Sequence, residues 1–173
     1  MRTILAYNIW MINDITAFDT AEKRALVYTH DINICLMHMQ NTPETMQDNP
    51  VYSDVVSDVC AFLSSRMQMC IDDGIDQSRI FIDPGFGFGK TLPHNIALLK
   101  SLSKLTALTP QVLVGLSRKS MIGVLTGKSV EQREYASVAA ATIAHLHGAR
   151  VIRAHDVAAT RDALAISHAL LST

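Results

Sequence analysis

Short apolar runs alternate with longer helical segments along this 173-residue chain. The runs contain few polar residues, which is typical of strands that are buried on both faces of a parallel sheet. They cover residues 9–12, 32–37, 80–82, 112–114 and 151–152. The intervening segments repeat apolar residues every three or four positions, and this pattern predicts amphipathic helices at 20–30, 53–73, 94–105, 130–147 and 156–171. The chain is therefore predicted to consist of five consecutive βα units of an α/β fold.

Five such units fit two architectures, and periodicity does not choose between them. One is a flavodoxin-like, doubly wound open sheet. The other is the last five units of an eight-unit (β/α)8 barrel, also called a TIM barrel. The chain has no linker, low-complexity tract or strong internal repeat, so residues 1–173 are expected to form a single domain.

Composition narrows the class of partner. The net charge is −1 at pH 7, so the chain lacks the basic excess expected for binding nucleic acid or an acidic membrane surface. No apolar run approaches the roughly 20 residues of a membrane helix. Cys35, Cys60 and Cys70 are odd in number and include no CxxC pair, which disfavours a disulfide framework or a zinc site. A reducing cytoplasm is the expected location.

Polar side chains follow every predicted strand. They are Asn13 and Asp14, then His38 and Gln40, then Asp83, then Ser117, Arg118 and Lys119, and finally Arg153, His155 and Asp156. The carboxyl ends of parallel strands meet at one edge of a sheet, and this edge carries the functional site in α/β folds. The sequence therefore predicts a polar site that is assembled from all five units.

The glycine-rich segment RIFIDPGFGFGKT, at 79–91, raises the question of phosphate binding. A P-loop requires G-x-x-x-x-G-K-[ST], and Pro84 stands where the first glycine should be. The dinucleotide fingerprint G-x-G-x-x-G is also missed by one residue. Asp83 is instead placed to bind a pair of donors on a ligand, with Phe86 and Phe88 as a flat apolar wall. The alternative is that Asp83 only caps a turn and that both phenylalanines belong to the core.

Two further strand ends supply positive charge. Arg118 and Lys119 precede Ser120, which is predicted to start a short helix, and this combination suits an anionic group. The alternative is a pair of solvated surface cations. Arg153 and His155 alternate along an extended segment and can therefore face the same side. A ligand with an anionic part and a hydrogen-bonding ring would fit these residues.

Taken in order, several segments at the strand ends resemble the dihydropteroate synthase family of pterin-binding enzymes. They are INDI at 12–15, CLMHMQ at 35–40 with PETMQ at 43–47, DPGFGFGK at 83–90, VGLSRKSMIG at 114–123 and IRAHDV at 152–157. The resemblance covers essentially the whole chain. It implies a TIM barrel in which the amine of p-aminobenzoate displaces pyrophosphate from 7,8-dihydropterin-6-ylmethyl diphosphate. It also implies Mg²⁺ as the cofactor and a homodimer as the assembly.

The resemblance also implies roles for individual residues. Lys119, Arg153 and His155 would be catalytic, the last two by holding the diphosphate. Asp83 would bind the amino-pyrimidine edge of the pterin. The remaining pterin contacts would come from Asn13, Ile15, Met37, Gly87, Leu113, Gly115 and Lys119, and p-aminobenzoate would contact Phe88, Ser120 and Lys119.

The family barrel has eight units, and this chain resembles the fourth to the eighth. The first three units would carry a second pterin-binding aspartate and the asparagine that contacts the metal, so no metal ligand is expected here. We expect the chain alone to expose barrel edges, to self-associate, and to be weak or inactive as a synthase. A non-catalytic pterin-binding fragment and a P-loop nucleotide-binding protein are the alternative functions.

Overall fold

The computed structural model describes residue 1 and residues 7–172, which form five strands and seven α-helices in βα order. The strands are β1 Met11–Asp14, β2 Asn33–Met37, β3 Ile80–Asp83, β4 Leu113–Val114 and β5 Val151–Ile152. The helices are α1 Ala21–Tyr28, α2 Val55–Asp72, α3 Leu92–Lys100, α4 Leu102–Thr106, α5 Ser120–Thr126, α6 Glu134–Leu146 and α7 Val157–Leu171. Short 3-10 turns occur at Gln77–Arg79 and Val130–Gln132.

Three predicted boundaries are wrong. Strand β1 starts later than the predicted run 9–12 and includes Asn13 and Asp14, because these residues pair in register with Cys35 and Leu36. The helix predicted at 94–105 begins at Leu92 and is interrupted at Ser101. The helix predicted at 130–147 begins only at Glu134, after a 3-10 turn.

All strand pairs are parallel and follow the order of the chain. Strands β1, β2 and β3 form one sheet and β4 pairs with β5, while a single bridge between Ile82 and Val112 joins the two sheets. A flavodoxin-like sheet has the order 2-1-3-4-5, in which the first strand lies between the second and the third. The sequential order observed here excludes that alternative.

The two faces of the sheet differ in character because successive side chains point to opposite faces. One face packs against the helices in the main core, through Ile34, Leu36, Ile80, Ile82, Val112 and Val114. The opposite face, called the inner face below, carries a small apolar cluster of Cys35, Phe81 and Leu113, packed with Met11 and Val151. The inner face is the one that continues into the polar strand ends.

The sheet curves so that its first and last strands line one open cavity of about 480 Å³. The lining includes Trp10 and Asn13 from the first strand region and Val151 and Arg153 from the last. Within the described residues, no helix has the length and apolar character needed to cross a membrane.

Candidate active site

Asp83 lies at the carboxyl end of β3, on the inner face, and is almost completely buried. Its Oδ1 accepts a hydrogen bond of 2.7 Å from the Gly85 backbone N–H. Burial raises the pKa of the Asp83 carboxyl, while this hydrogen bond, the charges of Lys119 and Arg153, and the nearby Asn13 side chain oppose that rise. The result is a buried carboxylate at the centre of a polar cluster from β1, β3, β5 and the turn after β4.

The loop 85–89 follows Asp83 without regular secondary structure, and side chains satisfy its backbone carbonyls. Gly85 and Phe88 carbonyls accept from Lys90, and the Phe86 carbonyl accepts from Lys119. The Gly87 and Gly89 carbonyls accept from Gln47 and Tyr52 at 2.5 and 2.7 Å. The loop is therefore held in one conformation by surrounding side chains.

Gly85 allows this loop to approach the end of β2. Its φ is +67°, and a Cβ at this position would lie 1.9 Å from the carbonyl oxygen of His38. Only glycine fits, both because of the backbone conformation and because of the contact. The glycines of DPGFGFGK thus serve packing against β2 in addition to any close approach to a ligand.

The two phenylalanines of the loop have different environments. Phe86 is fully buried and belongs to the main core, so the expected wall of two phenylalanines is wrong for this residue. Phe88 is partly exposed, and the Lys119 ammonium nitrogen lies 4.7 Å from its ring centroid. Phe88 alone offers an aromatic surface next to a cation.

Lys119 connects the loop to the polar cluster. Its Nζ donates to the Phe86 carbonyl, and its charge interacts with both Asp83 and Arg153. Burial lowers the pKa of Lys119 to about 8, with Asp83 opposing and Arg153 adding to the decrease. The ammonium group is thus largely charged at neutral pH but only weakly hydrated.

The turn that carries Lys119 is fixed from α6. Arg118 adopts φ +58°, and its N–H donates to the hydroxyl of Ser137 at 2.9 Å, while its carbonyl accepts from Arg133 at 2.9 Å. The Arg118 guanidinium forms an ion pair with Asp156 at 2.6 Å. The charge of Arg118 is therefore partly balanced by Asp156, and Arg118 also lines the pocket that lies beside this turn.

An open pocket of about 400 Å³ lies beside this turn and is lined by Gly115, Ser117, Lys119, Arg153 and His155, among others. The Arg153 guanidinium lies directly over Gly115, where a Cβ would be 2.8 Å from its Nη2. His155 Nδ1 lies 2.9 Å from the Ser117 hydroxyl. Three cationic side chains, of which Arg118 is ion-paired with Asp156, and an imidazole around one cavity suit an anion such as a phosphate group.

Most of the predicted site residues lie together. Asn13, Asp83, Lys119 and Arg153 interact directly or through their charges, and Met37 and Leu113 are buried on the inner face next to them. Gly87 contacts the Lys119 side chain, because a Cβ there would lie 3.4 Å from Cδ. Ile15 and Ser120 are exposed at the end of β1 and at the start of α5, at the rim of this group.

Lys90 and His38 are buried neighbours, of which only His38 was among the predicted strand-end residues. The His38 ring lies against Phe62, with centroids 4.9 Å apart. Lys90 is only 3% exposed, and its Nζ points at His38 and at loop carbonyls. A P-loop lysine must reach a bound phosphate, so this geometry excludes the P-loop alternative. The sequence feature that could have indicated a buried donor here is the glycine-rich loop itself. An irregular segment leaves five backbone carbonyls that need hydrogen-bond donors from elsewhere.

Within residue 1 and residues 7–172, no group of three or more His, Cys, Asp and Glu side chains is placed to hold a metal ion. The residues therefore do not by themselves fit the Mg²⁺ that the resemblance implies.

Parallel strands, a buried carboxylate and a cationic pocket at one sheet edge define an α/β enzyme site for an anionic, hydrogen-bonding ligand. Residues 1–155 match the family model described as pterin binding enzyme. The chain belongs to the pterin binding enzyme family.

Curated relatives and solved structures agree with this family assignment. The dihydropteroate synthase of Neisseria meningitidis serogroup C is 50% identical over 163 residues, which cover 92% of this chain and 58% of the relative. The Yersinia pestis enzyme in a sulfonamide complex superimposes with a TM-score of 0.93 at 40% identity, covering 98% of this chain and 62% of that one. The Xanthomonas albilineans enzyme with 4-aminobenzoic acid gives 0.90 at 43% identity, covering 99% and 61%. This chain thus spans about three fifths of the length of each.

Proposed function

We propose that this chain carries the carboxyl-terminal part of a dihydropteroate synthase active site. The observation that carries the proposal is the buried Asp83 carboxylate on the inner face, which accepts from the Gly85 N–H and lies near Asn13, Lys119 and Arg153. One ligand can then place a hydrogen-bonding ring at Asp83 and an anionic group at the cationic pocket. A pterin with a diphosphate arm has this combination, and the named relatives are synthases of this class.

The fold would be five consecutive units of a (β/α)8 barrel. The sequential parallel order and the cavity shared by the first and fifth strands support this proposal. An open sheet would keep its two edge strands far apart, whereas a barrel must curve them toward each other. The relatives' extra length is sufficient for three more units of the eight in a TIM barrel.

In the proposed reaction, the amine of p-aminobenzoate attacks the methylene carbon of the pterin, and the bond to the diphosphate oxygen breaks. Arg153 and His155 would bind the diphosphate, whose charge grows as it leaves. Lys119 would lie between pterin and p-aminobenzoate, beside Phe88 and Ser120. Gly87, Gly115, Ile15, Met37 and Leu113 would line the pterin pocket. A weakly basic arylamine needs positioning more than a strong base, and no covalent enzyme intermediate is required.

Three further features are proposed on the resemblance. Mg²⁺ is the cofactor that the resemblance implies, and it would bring additional positive charge to a bound diphosphate. A homodimer is supported by apolar side chains exposed along α6 and α7, including Ile143, Leu146 and Ile166. A reducing, cytoplasmic location is in keeping with the unpaired cysteines 35, 60 and 70.

The test is release of pyrophosphate on mixing the pterin diphosphate with p-aminobenzoate. The protein expressed from its complete reading frame, which sequencing upstream of the Met1 codon would define, is expected to turn over. Binding of pterin without pyrophosphate release would favour the non-catalytic alternative. No binding of either compound would contradict the proposal.

A further inference from the structure

Lys90 is a buried cation that the proposed reaction does not use. Its Nζ lies 3.0 Å from the Gly85 carbonyl, 3.0 Å from the Phe88 carbonyl and 2.9 Å from His38 Nδ1. An ammonium group has three donors, and these three acceptors are the nearest of four, the fourth being the His38 carbonyl at 3.4 Å. The Lys90 side chain thereby joins the Gly85 and Phe88 carbonyls of the 85–89 loop through one ammonium group.

The partner of Lys90 on β2 is itself fixed. Burial and the Lys90 charge lower the pKa of His38 to about 3, so its ring is neutral and can accept at Nδ1. The His38 backbone N–H donates to the Asp83 carbonyl at 2.9 Å. Lys90 therefore ties the loop to the same backbone segment that places Asp83.

The carbonyls of the loop point to two different ammonium groups. Those of Gly85 and Phe88 accept from Lys90, whereas the one between them, at Phe86, accepts from Lys119. Rotating the Phe88 peptide away from Lys90 would also move the Phe88 ring away from the Lys119 ammonium group, 4.7 Å from the ring centroid. A change at Lys90 is thus transmitted to the two groups at the rim.

We propose that Lys90 is a positioning residue, which holds Phe88 and the Lys119 ammonium group in place for p-aminobenzoate by anchoring the loop carbonyls to His38. The inference rests on the proposed function, because p-aminobenzoate binding is what it explains. A merely stabilising lysine would change the unfolding midpoint and leave the KM of the folded protein unaltered.

The experiment compares Lys90→Met with Lys100→Met in the protein expressed from its complete reading frame. Both changes remove an ammonium group, but Lys100 is exposed at the end of α3. Lys90→Met is expected to raise the KM for p-aminobenzoate at least tenfold, with a smaller fall in kcat, and Lys100→Met to change neither. A KM within twofold of wild type would overturn the proposal. Lys90→Gln replaces Lys90→Met if the latter does not fold.

A double-mutant cycle with Phe88→Ala tests the route of the effect. If Lys90 acts through Phe88, Lys90→Met adds little to the KM of the Phe88→Ala protein. Effects that multiply independently contradict the proposed route.

Hydrogen exchange separates this inference from the proposed function. If the wild-type protein releases no pyrophosphate, the proposed function fails. Exchange at the Gly87 and Phe88 amides, which donate to Asn95 and the Gly85 carbonyl, then decides whether Lys90 holds the loop. Exchange at least tenfold faster in Lys90→Met than in wild type, with no acceleration in Lys100→Met, supports that role. Equal rates in wild type and Lys90→Met overturn it.

Discussion

The Asp83 carboxylate combines burial and charge at the place where the proposed pterin would bind. Its pKa is raised by burial, and that rise is offset by donors and cations whose other function would be to bind substrate. A carboxylate can accept two hydrogen bonds from an amino-pyrimidine edge, whereas an amide offers one acceptor.

Asp83→Asn is expected to weaken pterin binding by roughly 10- to 100-fold, because a hydrogen bond to a charged group contributes about 1.5–3 kcal/mol. Calorimetry with 6-hydroxymethylpterin would measure the change. The thermal midpoint should not fall in parallel, since the amide removes a buried charge. Asp162→Asn, at an exposed position on α7, is the control. Unchanged pterin affinity in Asp83→Asn would refute the pocket assignment.

Gly85→Ala and Gly127→Ala separate steric overlap from backbone strain. The two glycines have similar φ values of +67° and +68°. A Cβ at Gly85 would overlap the His38 carbonyl at 1.9 Å, whereas nothing lies within 4 Å of one at Gly127. Gly127→Ala should lower the free energy of unfolding by about 1–2 kcal/mol, from strain alone. Gly85→Ala should lower it by several-fold more in denaturant titrations, and equal losses would show that the loop relaxes freely.

At the scale of elements, α6 positions the turn between β4 and α5. The Ser137 hydroxyl donates to the Arg133 carbonyl at 2.6 Å and accepts from the Arg118 N–H at 2.9 Å. Arg133 in turn donates to the carbonyls of Arg118 and Lys119. One helix thus fixes both sides of the Lys119 backbone.

Ser137→Ala should destabilise the protein by about 1–3 kcal/mol, because it leaves the Arg118 N–H without its acceptor. The same change should weaken p-aminobenzoate binding through the displaced Lys119. Thr142→Val is the matched control, since the Thr142 hydroxyl bonds only to the Val138 carbonyl of its own helix, at 3.0 Å. Denaturant unfolding and calorimetry would report the difference, and equal effects of the two changes would argue against α6 as the anchor.

Much of this arrangement could be predicted from the sequence because the signals are local. Buried apolar runs predicted the five strands, and local signals mark helix ends, since the Thr20 side chain caps the start of α1 and Gly74, with φ +87°, follows the end of α2. The break between α3 and α4 at Ser101 could not be predicted, because Ile96, Leu99, Leu102 and Leu105 continue one helical period across it. Glycine or proline is absent there, so no residue signals the end of the helix.

The site residues likewise divide into those that could be predicted from the sequence and those that could not. Asp83, Lys119 and Arg153 follow strands, so their convergence at one edge follows from parallel topology. The roles of Lys90 and Ser137 depend on partners 52 and 19 residues away, His38 and Arg118. Such contacts are set by tertiary packing and leave no periodic pattern in the sequence.

At the scale of the whole molecule, burying Lys90 makes stability depend on pH. Burial lowers its pKa to about 7, whereas an exposed lysine titrates near 10.4. Between these values the unfolded chain binds more protons than the folded one, so the free energy of unfolding rises with pH. His38, Asp83 and Lys119 face Lys90 and also titrate, so the effect must be measured against a variant that keeps all three.

The difference in unfolding free energy between wild type and Lys90→Met should rise from pH 7 to 8.5, by at most about 1.4 kcal/mol per pH unit. Urea titrations at several pH values would measure it, with Lys100→Met as the variant expected to show no such trend. A flat or falling difference would mean that Lys90 stays charged across this range.

A polypeptide that consists of residues 1–173 alone, called the 173-residue polypeptide below, is expected to self-associate by two routes. Strands β1 and β5 each have one partner among the described strands, and Trp10 is 60% exposed beside β1. Unpaired edges of this kind join further chains without closing. The second route is the apolar face of α7, where Ile166 is 71% exposed and which suits a closed dimer.

Ile166→Glu separates the two routes. It should abolish a dimer of the protein expressed from its complete reading frame, because a charge would be buried in the apolar contact. It should leave edge-mediated association of the 173-residue polypeptide intact. Ser65→Glu, on the exposed side of α2, should change neither the dimer nor the edge-mediated association. Sedimentation velocity over a range of concentrations would distinguish these species from a 19.0 kDa monomer. If the 173-residue polypeptide sediments as a monomer and unfolds in one cooperative step, β1 and β5 need no further strands. The proposal of an eight-unit barrel would then lose its main physical support.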